Sequence, residues 1–234
     1  CSIWRAVMYY QKVVEGIFIE RPNRFIARVM LPEGEVIAHV KNTGRCRELL
    51  IPGVRVYLED HGENTLRKTR YSLISVWKKD MLINMDSQVP NAVAADALKR
   101  GLITELLETD LIKREKTFGD SRFDIYYEIG QRRGFLEVKG VTLEEDGVAR
   151  FPDAPTVRGT KHIMELIKAK EEGYEASILF LVQMEGPKYF EPNKSMDPGF
   201  ADAVKLAKSR GVRVLAYDSI VTPNTIYIGK SLKK

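Results

Sequence analysis

Apolar and polar residues alternate in short runs over the first third of the chain. The runs are rich in β-branched and aromatic residues and are separated by turn-forming Gly, Pro and Asn, which favours strands over helices. Five strands are predicted, at residues 16–20, 24–31, 35–40, 54–58 and 71–77. Short strands at this spacing are typical of a small closed barrel, because closure removes exposed sheet edges.

Beyond the barrel region, apolar residues recur at helical spacing, and predicted helices then alternate with predicted strands. Apolar residues such as Val93, Ala97 and Leu98 predict a linking helix over 90–107, since they recur on one helical face. The later elements are predicted as helices at 156–172 and 198–209 and as strands at 121–127, 134–141, 175–183 and 213–217. This alternation is typical of an α/β layer. The chain is therefore predicted to form a basic β-barrel over 1–86 and an α/β domain over 87–234.

The excess positive charge lies in the predicted barrel region. Residues 1–80 hold 14 Lys and Arg against 9 Asp and Glu, whereas residues 81–234 hold 23 of each kind. A basic module favours a polyanionic partner, because neutralising phosphates releases their counterions. A mildly basic surface that is merely solvated explains the same counts equally well.

The number and positions of the cysteines and histidines indicate the cellular compartment and the kinds of metal site to expect. Cys1 and Cys46 form at most one bridge, a poor framework for a secreted fold, so a cytoplasmic location is expected. The histidines His39, His61 and His162 are scattered, so no structural zinc site is expected. No apolar run approaches the ~20 residues of a bilayer span, and the N-terminal segment lacks the cleavage site of a signal peptide.

Two acidic residues and a lysine converge on the predicted hairpin of the α/β domain. Strand periodicity puts Glu137 and Lys139 on one face, and antiparallel pairing through a turn near residue 132 brings Asp124 close to them. Two carboxylates and the carbonyl of Val138 suit Mg²⁺ or Mn²⁺, which leaves further positions to water and substrate phosphate. Such an ion activates water for phosphodiester cleavage, with Lys139 orienting that water.

Two further residues are candidates for the same chemistry. Glu115 is predicted to add a metal ligand, and Gln183, at the end of a strand, to support the water or a phosphate oxygen. An ordinary surface hairpin with exposed ion pairs accounts for the same spacing. Against that alternative, Glu137 and Lys139 lie inside an apolar strand, where inward charges are costly unless they serve a site.

Several short stretches in order along the chain match a known family. They are Arg24-Phe25, His39-Val-Lys-Asn-Thr-Gly44, Pro52-Gly53, Pro90-Asn91, Ser121-Arg-Phe-Asp124, Glu137-Val-Lys-Gly-Val-Thr142, Phe151-Pro-Asp-Ala154, Arg158-Gly-Thr-Lys-His162 and Asp197-Pro198. Over nearly its whole length the chain resembles the sugar fermentation stimulation protein A family. The resemblance implies an N-terminal OB-fold-like β-barrel, a C-terminal α/β domain similar to the PD-(D/E)XK nucleases, DNA binding, and a role in regulating sugar metabolism.

The resemblance also implies roles for single residues. Asp124 matches the first acidic position of the nuclease motif, Glu137 the second and Lys139 its lysine, while Glu115 resembles the helix carboxylate. Cys46 departs from the apolar residue expected after the Asn-Thr-Gly turn and affects no site residue. Similar domains can keep a metal site and serve mainly to bind DNA.

The predicted DNA contacts lie in the barrel and on the helix after Pro155. The barrel candidates are Arg21, Arg24, Arg28, Lys41, Arg45, Arg47, Arg67, Lys68 and Arg70, with Phe25 and Tyr71 as stacking platforms. The helix candidates are Arg158, Lys161 and His162. A core role for the aromatic residues and a solvated helix face are the competing interpretations.

These observations predict a DNA-binding protein without strong sequence specificity that carries a Mg²⁺- or Mn²⁺-dependent phosphodiesterase site. One alternative is a regulator that binds DNA without cutting it, its nuclease-like domain acting only as a clamp. A third hypothesis is that the barrel binds RNA or an oligosaccharide, as OB-folds also do. The sequence leaves the oligomeric state open.

Overall fold

The computed structural model describes residues 8–42, 44–63, 66–106 and 109–232. Its strands are β1 (Met8–Tyr9), β2 (Val13–Asn23), β3 (Ile26–Leu31), β4 (Gly34–Val40), β5 (Arg55–Asp60), β6 (Tyr71–Lys78), β7 (Met81–Asn84), β8 (Leu111–Phe118), β9 (Ser121–Ile129), β10 (Arg132–Val141), β11 (Leu143–Glu145), β12 (Val148–Phe151), β13 (Glu175–Val182), β14 (Tyr189–Pro192), β15 (Arg213–Thr222) and β16 (Thr225–Ser231). Its helices are α1 (Val89–Lys99), α2 (Val157–Glu171) and α3 (Pro198–Ser209).

The first sheet closes into the predicted barrel. Its strand order is β4-β3-β2-β5-β6-β7, and an additional parallel pairing of β4 with β6 joins the two sides. Phe18, Val29 and Leu58 are buried inside it. Gly16 has no room for a side chain, because a Cβ there would lie 2.6 Å from Cγ1 of Val29. The five predicted strands are present, and β7 is an additional strand.

The second sheet has seven strands in the order β1-β16-β15-β13-β10-β9-β8. Its centre is parallel, from β10 through β13 to β15, and the hairpin of β9 and β10 is antiparallel. A small sheet of β11, β12 and β14 lies beside it. The strand β1 pairs with β16, so Met8 and Tyr9 belong to this sheet although the sequence groups them with the barrel region.

Helices cover both faces of the large sheet. Leu179 and Leu181 of β13 pack in the same core as α1, whereas Ile178 and Phe180 pack in the core shared with α2 and α3. This alternation follows from the two-residue period of a strand. The predicted order of an OB-fold-like barrel followed by an α/β domain is confirmed.

The helix boundaries follow from local backbone chemistry. The Thr156 side chain accepts a hydrogen bond from the Gly159 amide at the start of α2, as a capping residue does. The linking helix α1 ends at Lys99, earlier than predicted, because Gly101 adopts a φ of +64°; Leu107, its predicted end, lies outside the described residues. Among the described residues, no helix combines the length and the apolar character that a bilayer span requires.

Candidate metal centre

The end of the β9–β10 ladder positions Asp124. Backbone pairing runs from Ile129 and Arg132 to Ile125 and Leu136. Immediately beyond that point, Oδ2 of Asp124 accepts a hydrogen bond from the Val138 amide at 2.8 Å. The Asp124 carboxylate therefore takes the place of the next ladder bond and is fixed beside β10.

Helix α1 fixes the other oxygen of the same carboxylate. The Asn91 side-chain amide donates to Oδ1 of Asp124 at 2.8 Å. Asn91 was not predicted as a site residue, although the Pro90-Asn91 pair belongs to the stretches that carry the family resemblance. Its position on the first turn of α1 makes that helix part of the site.

Glu137 is the buried centre of the cluster, with a relative exposure of 1%. Its Oε1 accepts from Nζ of Lys139 at 2.5 Å and also contacts Nδ1 of His162 on α2. Its Oε2 is buried and has no hydrogen-bond partner among the described residues. An unpartnered buried carboxylate oxygen is costly in an apolar interior, so this atom is a natural position for a cation.

The two carboxylates have opposite pKa shifts. Burial, reinforced by the negative charge of Glu137, raises the pKa of Asp124 above its usual value. Burial also raises the pKa of Glu137, but the hydrogen bond from His162 and the charge of Lys139 outweigh it, so the net shift is downward. Glu137 is thus held ionised by its two neighbours, while Asp124 lacks a counter-charge of comparable effect.

The donor set fits a small divalent cation. Asp124 and Glu137 provide carboxylate oxygens, Val138 lies between Glu137 and Lys139 along β10, and Oε2 of Glu137 accepts no hydrogen bond from the described residues. Mg²⁺ is usually held by one or two protein carboxylates and completes its shell with water and phosphate. Across the described part of the chain, no group of three or more His, Cys, Asp or Glu side chains is arranged to hold a metal ion.

Glu115 does not occupy the predicted position. It lies in strand β8 and not on a helix, with a φ of +58°. Its side chain is 61% exposed and is 3.7 Å from a guanidinium nitrogen of Arg122. The match to a helix carboxylate is therefore wrong, and the structure does not group Glu115 with two other acidic residues as a ligand.

Gln183 serves the junction between barrel and α/β domain. Its side-chain nitrogen donates to Oδ1 of Asn84 at 3.1 Å and to the Asp86 carbonyl at 3.0 Å. The backbone carbonyl of Gln183 accepts a hydrogen bond from the backbone amide of Asn84 at 2.9 Å. The residue is buried next to Gly140, so it lies near Lys139, but its donor group is already committed to the end of the barrel.

Arg21 links two loops of the barrel through hydrogen bonds to backbone carbonyls. Its guanidinium donates to the carbonyls of Asn42, Gly44, Arg45 and Arg24 at 2.7–2.8 Å. These four acceptors use most of the five N–H donors of an arginine. The prediction that Arg21 contacts phosphate is corrected accordingly, because its side chain already links two loops of the barrel.

Three other predicted contacts have acidic partners. Arg28 bridges Glu20 and Glu35, Lys41 lies 3.0 Å from Asp86, and Arg70 lies 2.7 Å from Asp60 and 3.2 Å from Glu63. An ion pair neutralises the charge that a phosphate would otherwise meet. Arg28, Lys41 and Arg70 therefore share their charge with acidic partners, and their contact with DNA stays a prediction.

The remaining barrel candidates are exposed. Arg24, Arg45, Arg47 and Lys68 have no ion pair with any residue in the described ranges, and Arg67 is exposed as well. The predicted stacking residue Phe25 is 48% exposed, with the Arg24 guanidinium 4.8 Å from its ring centre. Tyr71 is partly buried and packs in the same way against Arg70.

The helix candidates separate into two kinds. Arg158 and Lys161 are exposed on α2, and Lys161 reaches the carbonyl of Asp120 at 3.4 Å. His162 is only 6% exposed and contacts Glu137. The expectation that His162 lies on an outer DNA-facing surface is corrected, because its ring is part of the buried cluster.

The fold and the site together define a class: an OB-fold-like barrel joined to a nuclease-like α/β domain with an Asp, Glu-X-Lys cluster. Comparison with known proteins agrees with this class. A family model described as the SfsA N-terminal OB domain matches residues 19–85, and one described as the sugar fermentation stimulation protein RE domain matches residues 88–225. The chain belongs to the sugar fermentation stimulation protein family.

Relatives match over almost the full chain. A sugar fermentation stimulation protein homologue of Alkaliphilus oremlandii is 56% identical, covering 95% of this chain and 96% of its own length. A homologue from Desulfitobacterium hafniense is 54% identical at the same coverage. The solved structure of Pyrococcus furiosus SfsA in complex with Ca²⁺ is 31% identical, covers 97% of both chains and has a TM-score of 0.87.

Proposed function

We propose that this protein binds DNA without strong sequence preference and hydrolyses its phosphodiester bonds with Mg²⁺ or Mn²⁺ at Asp124, Glu137 and Lys139. The main observation behind this proposal is the buried Glu137, which Lys139 and His162 keep ionised while its Oε2 has no hydrogen-bond partner in the described part of the chain. Support for a divalent ion also comes from the Pyrococcus furiosus relative, which is described in complex with Ca²⁺.

The residues divide the work of hydrolysis. A bound divalent ion supplies an acidified water and positive charge opposite the phosphate. Asp124 and Glu137 hold that ion, and their hydrogen bonds to Asn91, Val138 and His162 fix the direction of their oxygens. Lys139 places a proton-bearing ammonium 2.5 Å from Oε1 of Glu137, where it orients the attacking water and stabilises negative charge on the phosphate.

Exposed cations near the site support contact with a phosphate backbone. Lys113 and Arg114 of β8 have no ion pair within the described ranges, and Arg114 pairs in register with Ile125, adjacent to Asp124. Arg158 and Lys161 extend the same charge onto α2. Such contacts bind DNA through its charge and carry no base information, and the family's effect on sugar fermentation then arises at the level of DNA in the cytoplasm.

The test is cleavage of supercoiled and single-stranded DNA with Mg²⁺, with Mn²⁺ and with chelator. Wild type should cut only with metal, and both Glu137→Ala and Lys139→Ala should lose cleavage by about 10²-fold or more while still binding DNA. Glu145→Ala is the matched control, since Glu145 is a 59% exposed carboxylate paired with Arg150. Activity that survives Glu137→Ala would place the chemistry elsewhere.

A non-catalytic DNA-binding regulator is the second candidate. The observation that favours it is the small acidic set, since the described residues group two carboxylates at the site and not three. In that case DNA stays intact under every metal condition and binding persists. Calorimetric titration with Mn²⁺ then shows whether the site still binds metal, with Glu137→Ala as the reference.

A further inference from the structure

The barrel contains a cavity of about 590 Å³ that no catalytic residue lines. Its lining residues are Phe18, Glu20, Arg21, Asn23, Arg24, Gly44, Arg45, Arg47, Leu50 and Pro52. Phe18 and Leu50 belong to the barrel core and give the cavity an apolar floor. Pockets of this volume accept small molecules or single units of a polymer.

The rim of this cavity holds most of the barrel's unneutralised predicted cations. Arg28, Lys41 and Arg70 have acidic partners, but Arg24, Arg45 and Arg47 have none within the described ranges. The lining carboxylate of Glu20 is itself bound to Arg28. The cavity is therefore positive at its rim and apolar at its floor.

The walls of the cavity are fixed before any ligand binds. Arg21 joins the Arg24 carbonyl on one wall to the carbonyls of Gly44 and Arg45 on the other. On the first wall, the Asn23 side chain accepts from the Phe25 amide at 2.8 Å. A site whose loops are already ordered pays little conformational entropy on binding.

We infer that this cavity binds one nucleotide unit with an unpaired base, the base over Phe18 and Leu50 and the phosphate at Arg45 and Arg47. The inference rests on the proposed function and deepens it by naming the substrate class, a single-stranded or locally unpaired strand. A base inside a duplex is stacked on both faces and cannot enter a pocket without leaving the helix. Arginine suits the phosphate because its fork matches phosphate oxygens.

A second cavity shares a lining residue with this pocket and reaches the strand that carries Lys139. Gly44 lines both cavities, and the smaller one, of about 190 Å³, also reaches Gly140 and Gln183. Gly140 directly follows Lys139. A Cβ at Gly44 would lie 2.6 Å from Oδ2 of Asp153, so the barrel loop passes close to the α/β domain at this residue. A strand held in the pocket thus has a path across Gly44 towards Lys139.

The test measures binding of labelled oligothymidylate and of a duplex by fluorescence anisotropy, in chelator and in a Glu137→Ala background, so that nothing is cut. The Arg45→Gln, Arg47→Gln double variant should lose about 10-fold or more in affinity for the single strand, since each side chain donates charged hydrogen bonds. The matched control is Lys205→Gln with Lys208→Gln, which removes the same charge from exposed positions on α3 and should change affinity about 3-fold or less.

Competition identifies the ligand chemistry. Thymidine monophosphate should displace the labelled strand from the reference protein more strongly than inorganic phosphate does, and sucrose should not displace it. Equal losses in the pocket and control variants, a preference for duplex, or displacement by sucrose would each overturn the inference. If the wild-type protein cleaves DNA with metal although one of these outcomes is seen, the pocket inference fails and the proposed function stands. If the wild-type protein binds no nucleic acid at all, both fail.

Discussion

The barrel and the α/β domain differ in how their cations are paired, although both have exposed cations without an ion pair in the described ranges. Residues 1–80 hold the chain's whole excess of Lys and Arg, but Arg28 and Arg70 are bound to carboxylates and Arg21 to backbone carbonyls. Residues 81–234 have no net charge, yet Lys113 and Arg114 are exposed on the edge strand of the α/β domain without ion pairs in the described ranges. The region with less net charge has cations free beside the site.

Net charge is therefore a different quantity from available charge, by which we mean the charge of cations without an acidic partner. Net charge is a sum over sequence, whereas availability depends on which carboxylate the fold places within an ion-pair distance. In the barrel, antiparallel neighbours bring Arg28 between Glu20 and Glu35. On β8, an outer strand of the sheet, one side has no neighbouring strand among the described residues that could supply such a partner.

The largest effect on metal binding and cleavage should come from a change in the buried cluster around Glu137. Replacing His162→Asn removes the contact that fixes Glu137, and loss of a residue that orients a metal ligand typically costs 10–100-fold in metal affinity or activity. Calorimetric titration with Mn²⁺ and cleavage rates measure the loss. The barrel's His39→Asn is the matched control and should leave both unchanged; an equal loss there would remove the distinction between the two regions.

An intermediate effect is expected where the two regions meet. Gln183→Ala leaves Oδ1 of Asn84 and the Asp86 carbonyl without this donor, which should cost about 1–3 kcal/mol of unfolding free energy. Thermal unfolding should show a lower Tm, with cleavage per folded molecule close to wild type. If Gln183 instead supports the attacking water, the result reverses, with Tm retained and the rate reduced.

Elements with strong periodicity could be predicted from the sequence, and exposed ones could not. The pattern located α2 and α3 to within a residue or two because each buries one apolar face. It missed β8, whose residues Lys113, Arg114 and Lys116 are exposed and give no alternation. The prediction also missed β16, although its buried residues Ile226 and Ile228 alternate with partly buried ones.

The site was predictable where its geometry is local. Asp124, Glu137 and Lys139 share one hairpin, so strand periodicity and pairing suffice to bring them together. The contacts of Glu137 with His162 and of Asp124 with Asn91 depend on how α2 and α1 dock on the sheet, which no local pattern specifies. The same holds for Glu115, whose strand assignment excluded the helix role inferred for it.

The smallest effect on DNA affinity should come from replacing single exposed cations. It tests directly whether unpaired cations bind phosphate better than ion-paired ones do. Arg114→Gln and Arg28→Gln each remove one positive charge, but Arg114 has no ion pair in the described ranges whereas Arg28 has two. If Arg114 contacts a phosphate, its loss should weaken duplex binding about 3-fold and reduce the salt slope of log K by about one. Arg28→Gln should leave the slope unchanged, because a neutralised arginine releases no counterion from DNA. Affinity measured across a series of salt concentrations gives both slopes. A reduced slope for Arg28→Gln with none for Arg114→Gln would show that an ion-paired arginine meets the phosphates and that the unpaired Arg114 does not.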